Sequence, residues 1–295
     1  MSDEILYDRD PRYIPRVAAV HDMCGYGKCS LTAAIPILSA AGCDVCPVPT
    51  ALFSAHTRYE VFTFHDTTEI LDGYLDAWRK ENVELDGVYS GFLGSADQVA
   101  IIRRLYDEYP HALRLVDPVM GDHGRPYRTI TPQMRSRLGE LVRVADIITP
   151  NLTEACMLLK IPYFNEGLSR AQAKSLLVRL SELGPNYVVI TGAPMASGSI
   201  ANIGYDRQNN SFWYIDCDYV PVSYPGTGDL FASVLTGGFL TGDSLPMAMG
   251  RATYFVERCI KTTFSYSSDT RYGVMLEKEL GVLIDRQNIK DFSLL

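Results

Sequence analysis

The 295-residue chain lacks any long apolar run. No stretch approaches the roughly 18 consecutive apolar residues that indicate a transmembrane helix. The first residues, Met1 to Glu4, also lack the basic and then apolar pattern of a secretory signal peptide. We therefore expect no membrane partner, and we expect the protein to act in the cytoplasm.

The chain also lacks an excess of positive charge and a dense set of cysteines. Its 27 basic and 35 acidic residues give a formal net charge of −8, and there is no long basic run. Such a chain is a poor partner for nucleic acid or for an anionic membrane surface. Seven cysteines in a chain of this size, without a signal peptide, indicate reduced thiols.

Internal repeats, low-complexity segments and flexible linkers are absent as well. Hydrophobic residues make up 47% and charged residues 21%, which is ordinary for a globular protein. The sequence therefore predicts a single domain over residues 1–295, a length that α/β domains commonly reach. Residues 1–15 are polar and irregular, and we expect them to form an exposed arm.

The segment after the first predicted strand lacks two common nucleotide-binding motifs. A dinucleotide fingerprint would need a third glycine after Gly25 and Gly27, and a P-loop would need Ser or Thr directly after Lys28. A nicotinamide-dependent oxidoreductase is therefore disfavoured. The segment is either a plain strand-to-helix turn or a substrate loop in which His21 or Asp22 binds a small polar molecule.

What the chain does have is an alternation of short apolar strands with helical patterns. This alternation predicts an α/β fold, in which a mostly parallel sheet has helices on both faces. Strands are predicted at residues 16–20, 44–49, 87–89, 113–116, 145–148, 187–190, 201–205 and 212–217. Helices are predicted at residues 67–82, 95–109, 132–143, 168–183, 244–264 and 273–285, with others ending near residues 41 and 241.

Polar residues stand at the ends of successive predicted strands. Asp22, Asp117, Asn151 and Thr191 all occupy such positions. Because the carboxyl ends of parallel strands meet in one crevice, these residues predict a shared site. Asp117 and Asp122 could hold a hard cation through water, although an aspartate beside a glycine is also common in ordinary turns.

Two further segments near this crevice have two interpretations each. Asn151 and Glu154 either face the ligand or form a capping box at a helix start. The polar segment 123–129, which contains Tyr127, is either a mobile flap over the site or a plain loop.

The stretch Gly226-Thr227-Gly228-Asp229 precedes an apolar helical pattern and organises the predicted site. Glycines allow the backbone to take positive φ and a ligand to come close. The first N–H groups of the helix have no internal partner and, with the helix dipole, form an anion hole for phosphate oxygens. Asp229 either caps this helix or takes the proton of an attacking hydroxyl.

The segment Phe53-Ser54-Ala55-His56-Thr57 combines an aromatic ring with hydrogen-bonding side chains. Phe53 could stack on a flat ring that His56 and Thr57 bind through hydrogen bonds. A loop with a satisfied histidine is the alternative.

Four cysteines admit a metal or redox interpretation. Cys43 and Cys46, with Cys24 and Cys29, could form a zinc site or a redox pair. Cys43 and Cys46, however, flank an apolar strand, where cysteine packs as a small hydrophobic residue. Cys24 and Cys29 lie beside the candidate substrate loop, where a reactive thiol is a further possibility.

These motifs resemble those of the ribokinase-like superfamily, and within it the vitamin B6 kinases. The resemblance extends from Val17 to about Thr263, and the Gly226–Asp229 motif is highly specific for the superfamily. The resemblance rests on six segments, which are residues 53–57, 90–94, 117–122, 149–154, 189–191 and 226–229.

The resemblance implies a three-layer α/β/α kinase that phosphorylates the hydroxymethyl group of pyridoxal, pyridoxine or pyridoxamine with ATP and Mg²⁺. A monovalent cation such as K⁺ is a further candidate, and the family is commonly homodimeric. The implied base is Asp229, with Gly226, Thr227 and Gly228 as the anion hole. The implied metal and phosphate residues are Asp117, Asp122, Glu154 and Asn151, with Thr191 and Tyr127 beside the nucleotide. The implied substrate residues are His21, Asp22, Phe53, His56, Thr57 and Phe92.

Two departures from the vitamin B6 kinases keep the substrate open. Those kinases usually begin the first loop with Ser-His, whereas this chain has His21-Asp22 and then Gly25-x-Gly27, which is similar to hydroxymethylpyrimidine kinases. Phe92 stands where they often have tyrosine. A hydroxymethylpyrimidine kinase, or a non-catalytic ligand-binding protein on the same fold, is therefore the alternative.

The Phe53–Thr57 segment gives the first testable prediction. Thr57→Ala removes a hydrogen-bonding hydroxyl, so it should weaken binding of the pyridine substrate more than binding of ATP. Apparent affinities for both, measured by steady-state kinetics, test this expectation. An equal loss for both substrates would indicate that the segment is structural.

Overall fold

A computed structural model describes residues 13–285 and 288–295, so most of the predicted N-terminal arm lies outside the described residues. A ten-stranded sheet runs through the described part, in the order β12-β11-β10-β9-β8-β5-β4-β1-β2-β3. Its strands are β1 (Arg16–Cys24), β2 (Asp44–Phe53), β3 (Phe64–Asp66), β4 (Gly87–Ser90), β5 (Leu113–Val116), β8 (Ile147–Ile148), β9 (Tyr187–Pro194), β10 (Ile200–Asp206), β11 (Ser211–Cys217) and β12 (Ser293–Leu294). Two short strands, β6 (Gly121–Asp122) and β7 (Arg125–Pro126), form a separate hairpin.

The central strands β2, β1, β4, β5, β8 and β9 pair in parallel, and the outer strands pair antiparallel. The strand β1 lies between β2 and β4, and an apolar core covers each of its faces. This explains its unbroken apolar run, because a strand buried on both faces has no polar side. Val17 and Ala19 face one core, and Ala18 and Val20 face the other.

Helices cover both faces of the sheet, so the predicted three-layer α/β/α sandwich is confirmed. One layer packs α2 (Thr68–Lys80), α3 (Gln98–Glu108), α4 (Pro132–Val142), α5 (Leu152–Leu159) and α6 (Arg170–Ser181) on the sheet. The other layer packs α1 (Leu31–Ala40), α7 (Thr227–Leu240), α8 (Leu245–Ser265) and α9 (Gly281–Ile284). No helix in the described part is long and apolar enough to span a bilayer.

The predicted helix at 273–285 is wrong. The chain there forms short 3₁₀ turns at Thr270–Tyr272 and Leu276–Lys278, and only Gly281–Ile284 is α-helical. Gly273 has φ +88°, which a helix cannot contain. The apolar residues that suggested a helix, such as Val274 and Leu276, instead fill the core beside α1 and α8.

The first strand is longer than predicted. It continues to Cys24, so His21 and Asp22 lie on the strand and not in the loop after it. The loop that connects β1 with α1 is residues 25–30. The sequence prediction also omitted the edge strands β3 and β12.

Candidate active site

The start of α7 forms an open set of backbone N–H groups. Gly226 is the N-cap residue, with φ +82°, and no side chain caps the helix. A Cβ atom at Gly226 would overlap the carbonyl oxygen of Lys28 in the β1–α1 loop, so only glycine fits there. Because no side chain caps the first turn, its N–H groups can bind an anion.

Asp229 does not cap its own helix. Its Oδ2 atom accepts a hydrogen bond from the backbone N–H of Ser30, at 2.8 Å, across 199 residues of sequence. Ser30 is the N-cap of α1 and has φ +52°, which is rare for a residue other than glycine. Burial raises the pKa of Asp229 to about 6, against the lowering effect of the Ser30 bond. The carboxyl group is therefore held in place and is mostly ionised at neutral pH.

Asp22 lies next to this contact and is buried. Its Oδ1 atom accepts a hydrogen bond of 2.5 Å from the Ser30 hydroxyl. Burial raises the pKa of Asp22 to about 7, and the nearby charge of Asp229 adds to the increase. Ser30 thus connects two carboxyl groups, one through its hydroxyl and one through its backbone.

Asp117 follows β5 and faces the first turn of α7. Its Oδ2 atom lies 3.9 Å from the position that a Cβ atom of Gly228 would occupy. Burial raises the pKa of Asp117 to about 8, and Asp229 contributes through its charge. Burial also raises the pKa of Glu154 well above its usual value, with a further contribution from Asp117. Buried carboxyl groups are therefore concentrated beside the open helix start, and a bound cation would favour their ionised forms.

The arrangement of these carboxyl groups fits Mg²⁺ better than a metal held by protein alone. Asp122 is half exposed, and its Oδ1 atom accepts from the N–H of His123 at 2.8 Å. In the described residues, no three acidic, histidine or cysteine side chains form a ready-made metal cluster. Mg²⁺ usually takes one or two carboxylates and completes its shell with water and substrate phosphates. Asp117 with Glu154 supplies such a partial donor set.

Glu154 and Asn151 form the capping box that was one of the two predicted alternatives. The Glu154 N–H donates to Asn151 Oδ1 at 3.0 Å, and the Asn151 N–H donates to Glu154 Oε2 at 2.9 Å. The other Glu154 oxygen, Oε1, accepts from the Met120 N–H at 3.0 Å. Since a carboxylate oxygen can accept more than one bond, capping leaves Glu154 able to contact a metal-bound water.

Asn151 and Thr191 lie side by side, although they are 40 positions apart. Thr191 lies within β9, which continues past its predicted end at residue 190 to Pro194, and it forms an isolated parallel bridge with Asn151, three residues after β8. The N–H of Thr191 donates to Pro150 O at 3.0 Å. The Asn151 side chain donates to Gly121 O at 2.9 Å, so it also holds the β6–β7 hairpin. Asn151 and Thr191 therefore lie next to each other and to the hairpin that follows Asp117.

The predicted flap, residues 123–129, comprises the turn and second strand of the β6–β7 hairpin and the three residues that follow it. The Tyr127 N–H donates to Met120 O at 3.0 Å, and the Tyr127 ring remains 39% exposed. Partial burial raises the pKa of Tyr127, with contributions from the charges of Glu154 and Asp122. Tyr127 therefore lies near these acidic side chains, on the segment that was predicted as a flap.

Phe53 and Phe92 meet on the opposite side of the crevice. Their ring centroids are 5.7 Å apart in an edge-to-face arrangement, and Phe62 and Phe64 also pack against Phe53. Phe53 and Phe92, which were both predicted to contact the substrate, are largely buried, with 6% and 8% exposure. They form an apolar wall that suits a flat ring.

His56 uses both ring nitrogens inside the protein. Nε2 donates to Arg271 O at 2.6 Å, and Nδ1 accepts from the Arg58 N–H at 3.3 Å. Burial lowers the pKa of His56, which favours the neutral ring that this pattern needs. The geometry makes His56 an anchor of its loop, whereas the neighbouring Thr57 is partly exposed.

The placement of His21 does not support contact with a substrate. Its ring is fully buried and meets the Tyr89 ring edge-to-face at 4.2 Å. Burial lowers the pKa of His21 to about 3, so the ring is neutral. Strand alternation explains the difference, because β1 directs His21 into the core beside Val17 and Ala19.

Sequence reasoning missed a cluster of tyrosines at the rim of the site. Tyr26 lies 5.3 Å from both Tyr59 and Tyr272, measured between ring centroids. Lys28 lies over the Tyr272 ring at 5.0 Å and forms an ion pair with Glu277. Tyr26 between two glycines was a signal in the sequence, but Tyr272 falls beside the wrongly predicted helix.

The four cysteines do not share one site. Cys46 pairs in register with Ala18 at the start of β1, whereas Cys24 pairs with Phe53 at its end. The two pairs of cysteines therefore lie at opposite ends of the sheet, which excludes a common zinc site. Cys24 and Cys29 do lie close to each other, and the Cys24 thiol donates to the Tyr26 carbonyl oxygen at 3.1 Å.

Comparisons with known proteins agree on one family. A model of the phosphomethylpyrimidine kinase family matches residues 29–273, which is more than half of the chain. Pyridoxal kinase PdxY of Deinococcus radiodurans is 32% identical over 254 residues, covering 80% of this chain and 83% of that protein.

Solved structures give the same result. A Bacteroides thetaiotaomicron protein described as a phosphomethylpyrimidine kinase, crystallised in a form with pyridoxal, is 41% identical with a TM-score of 0.92. The match covers 96% of this chain and 100% of that chain. Pyridoxal kinase of Lactobacillus plantarum is 27% identical with a TM-score of 0.85, covering 92% and 98% of the two chains.

The acidic cluster predicts a pH-dependent cost in stability. The folded state raises the pKa of Asp117 from 3.8 to about 8, so folding opposes its ionisation. The cost is absent below about pH 3.8 and increases as the pH rises towards 8. Asp117→Asn should therefore raise the thermal midpoint of the metal-free protein most at pH 8, and least at pH 4.5.

Thermal melts in excess chelator at both pH values measure this effect. Asp107→Asn, at an exposed carboxylate on α3, is the matched control and should change little at either pH. An Asp117→Asn variant less stable than wild type at pH 8 would contradict the prediction.

Proposed function

The chain belongs to the phosphomethylpyrimidine kinase family, and we propose that it transfers the terminal phosphoryl group of ATP to the hydroxymethyl group of a vitamin B6 vitamer. The acceptors are pyridoxal, pyridoxine or pyridoxamine, and the product is the 5′-phosphate. As a family member, the chain is a phosphotransferase that acts on an alcohol group. The observation that carries the proposal is the carboxyl group of Asp229, which the Ser30 N–H holds beside the uncapped start of α7.

The acceptor ring lies against Phe53 and Phe92, with Thr57 and Asp22 as its polar partners. The partly exposed Thr57 offers a donor and an acceptor to ring substituents. Relatives support a pyridine ring, because the Deinococcus protein is named a pyridoxal kinase and the Bacteroides protein was crystallised with pyridoxal.

Asp229 is the general base in this proposal. A hydroxymethyl group is a weak nucleophile until its proton has an acceptor, and a base is most effective with a pKa near the working pH. The pKa of Asp229, about 6, meets that condition. The hydrogen bond from Ser30 to Oδ2 leaves Oδ1 for the substrate hydroxyl.

The start of α7 receives the negative charge of the transferred group. Phosphoryl transfer depends mainly on positioning and on neutralising charge, and backbone N–H groups at Gly226, Thr227 and Gly228 do both. Asp117 and Glu154 would hold Mg²⁺ through water, and Mg²⁺ would neutralise phosphate oxygens. Asn151, Thr191 and Tyr127 are placed to contact the nucleotide.

A hydroxymethylpyrimidine kinase remains the second candidate. The family description favours it, as does Asp22, a buried carboxyl group with a pKa near 7 that can donate to or accept from a ring nitrogen. A non-catalytic binding protein is disfavoured, because Asp229 and the open helix start are both in place.

We also propose a cytoplasmic homodimer. The edge strand β3 and its neighbouring segments carry four exposed apolar residues, Leu52, Val61, Phe64 and Ile70. Edge strands and exposed apolar surface favour association with another chain. The seven free thiols fit a reducing compartment.

An acceptor panel tests the proposed function. ATP consumption should be faster with at least one of pyridoxal, pyridoxine and pyridoxamine than with hydroxymethylpyrimidine, and excess chelator should abolish it. Preference for hydroxymethylpyrimidine would select the second candidate. Binding of acceptor without any turnover would indicate a non-catalytic protein, and full activity in chelator would remove the metal from the proposal.

The role of Asp229 is tested by Asp229→Asn. An asparagine Oδ1 can still accept from Ser30, so the thermal midpoint should change little, while kcat should fall by about 10²–10⁴-fold. ATP affinity should be nearly unchanged, because the anion hole is backbone. Normal turnover would show that Asp229 is not the base, and inactivity accompanied by unfolding would indicate a structural role.

A further inference from the structure

Two loops approach each other across the mouth of the site. The acceptor loop, residues 54–63, connects β2 with β3 and contains His56 and Thr57. The strap, residues 218–226, connects β11 with α7 and ends at the anion hole. These loops are far apart in sequence, and Arg58 joins them directly.

Arg58 contacts one residue of the strap through two hydrogen bonds. Its Nη1 donates to the carbonyl oxygen of Ser223 at 3.1 Å, and its Nη2 donates to the Ser223 hydroxyl at 2.9 Å. The planar guanidinium presents two donors in a fixed fork, so this contact sets both the distance and the orientation of Ser223.

The base of Arg58 is itself fixed. Its backbone N–H donates to His56 Nδ1, and His56 Nε2 donates to Arg271 O. The backbone of Gly27 packs directly on the His56 ring, leaving no room for a Cβ atom. Arg58 therefore extends from an anchored part of the acceptor loop.

The strap connects Ser223 to the anion hole through a short segment. Tyr224, the residue after Ser223, is buried, and its carbonyl oxygen accepts from the Thr227 hydroxyl at 3.3 Å. Gly226 is confined against the Lys28 carbonyl. Only Tyr224, Pro225 and Gly226 separate Ser223 from Thr227, so a contact that holds Ser223 also restricts the movement of the first turn of α7.

We propose that Arg58 is a positioning residue that couples binding of the acceptor to binding of the nucleotide through Ser223. The inference rests on the proposed function, since it assigns the two loops to the two substrates. An acceptor that contacts Thr57 limits the movement of the adjacent Arg58, Arg58 in turn holds Ser223 of the strap, and the anion hole is then already ordered for phosphate. The coupling is reciprocal, so each substrate strengthens binding of the other by the same factor.

The test compares affinities measured with and without the other ligand. Pyridoxal binding is measured by calorimetry alone and with a saturating non-hydrolysable Mg·ATP analogue, and analogue binding is measured with and without pyridoxal. Wild type should show an increase of roughly fivefold or more, which is the lower end of typical coupling. Arg58→Met should reduce that factor towards one, with pyridoxal affinity alone changing less than about twofold.

Three variants make the result specific. Arg58→Lys retains one charged donor, and Ser223→Ala retains the carbonyl contact, so both should give intermediate factors. Arg104→Met removes an exposed arginine on α3 that pairs with Asp72, and it should match wild type. Ser223→Ala also covers the case in which Arg58→Met does not fold.

The outcomes separate this inference from the proposed function. Wild type that phosphorylates pyridoxal without coupling, or an Arg58→Met variant that keeps the wild-type factor, overturns the inference and leaves the function intact. A wild type that neither binds nor phosphorylates any vitamer overturns both. A loss of coupling that is equal in both directions supports the role of Arg58.

Discussion

The hydrogen bond between the Ser30 backbone and Asp229 is the contact on which the site depends. It joins the start of α1 to the start of α7, and it fixes a carboxyl group that would otherwise cap its own helix. One bond therefore holds Asp229 in place and leaves the N–H groups of α7 open. The rare backbone conformation of Ser30 belongs to the same arrangement, since strain of this kind is concentrated at functional sites.

The carboxyl groups around this contact show how function opposes stability. Asp22, Asp117 and Glu154 are buried close to one another, and burial raises the pKa of each. Such a cluster lowers the stability of the empty protein, and strongly perturbed pKa values in a crevice are typical of active sites. The two apolar cores, one on each face of the sheet, supply the stability that offsets the cost of burying these carboxyl groups.

The architecture and most of the crevice could be predicted from local patterns. Apolar runs separated by helical periodicity predicted the sheet and its layers, and the Gly226–Asp229 stretch predicted a helix start that no side chain caps. The predictions were wrong where contacts between residues distant in sequence determine the local structure. His21 points into the core because β1 continues past Val20, and 273–285 follows the surface of α1 and α8 instead of its own periodicity. The partner of Asp229 could not be predicted, because it is a backbone group in a loop 199 residues away.

The sequence separation of the site contacts has a consequence for the order of folding. Lys28 pairs with Glu277, and His56 bonds to Arg271, across 249 and 215 residues of chain. Contacts of this kind close large loops and form late. During synthesis, the β1–α1 loop leaves the ribosome long before the segment that covers it. The sheet can therefore assemble while the acceptor side of the site is incomplete, and catalytic competence arrives only with the last part of the chain.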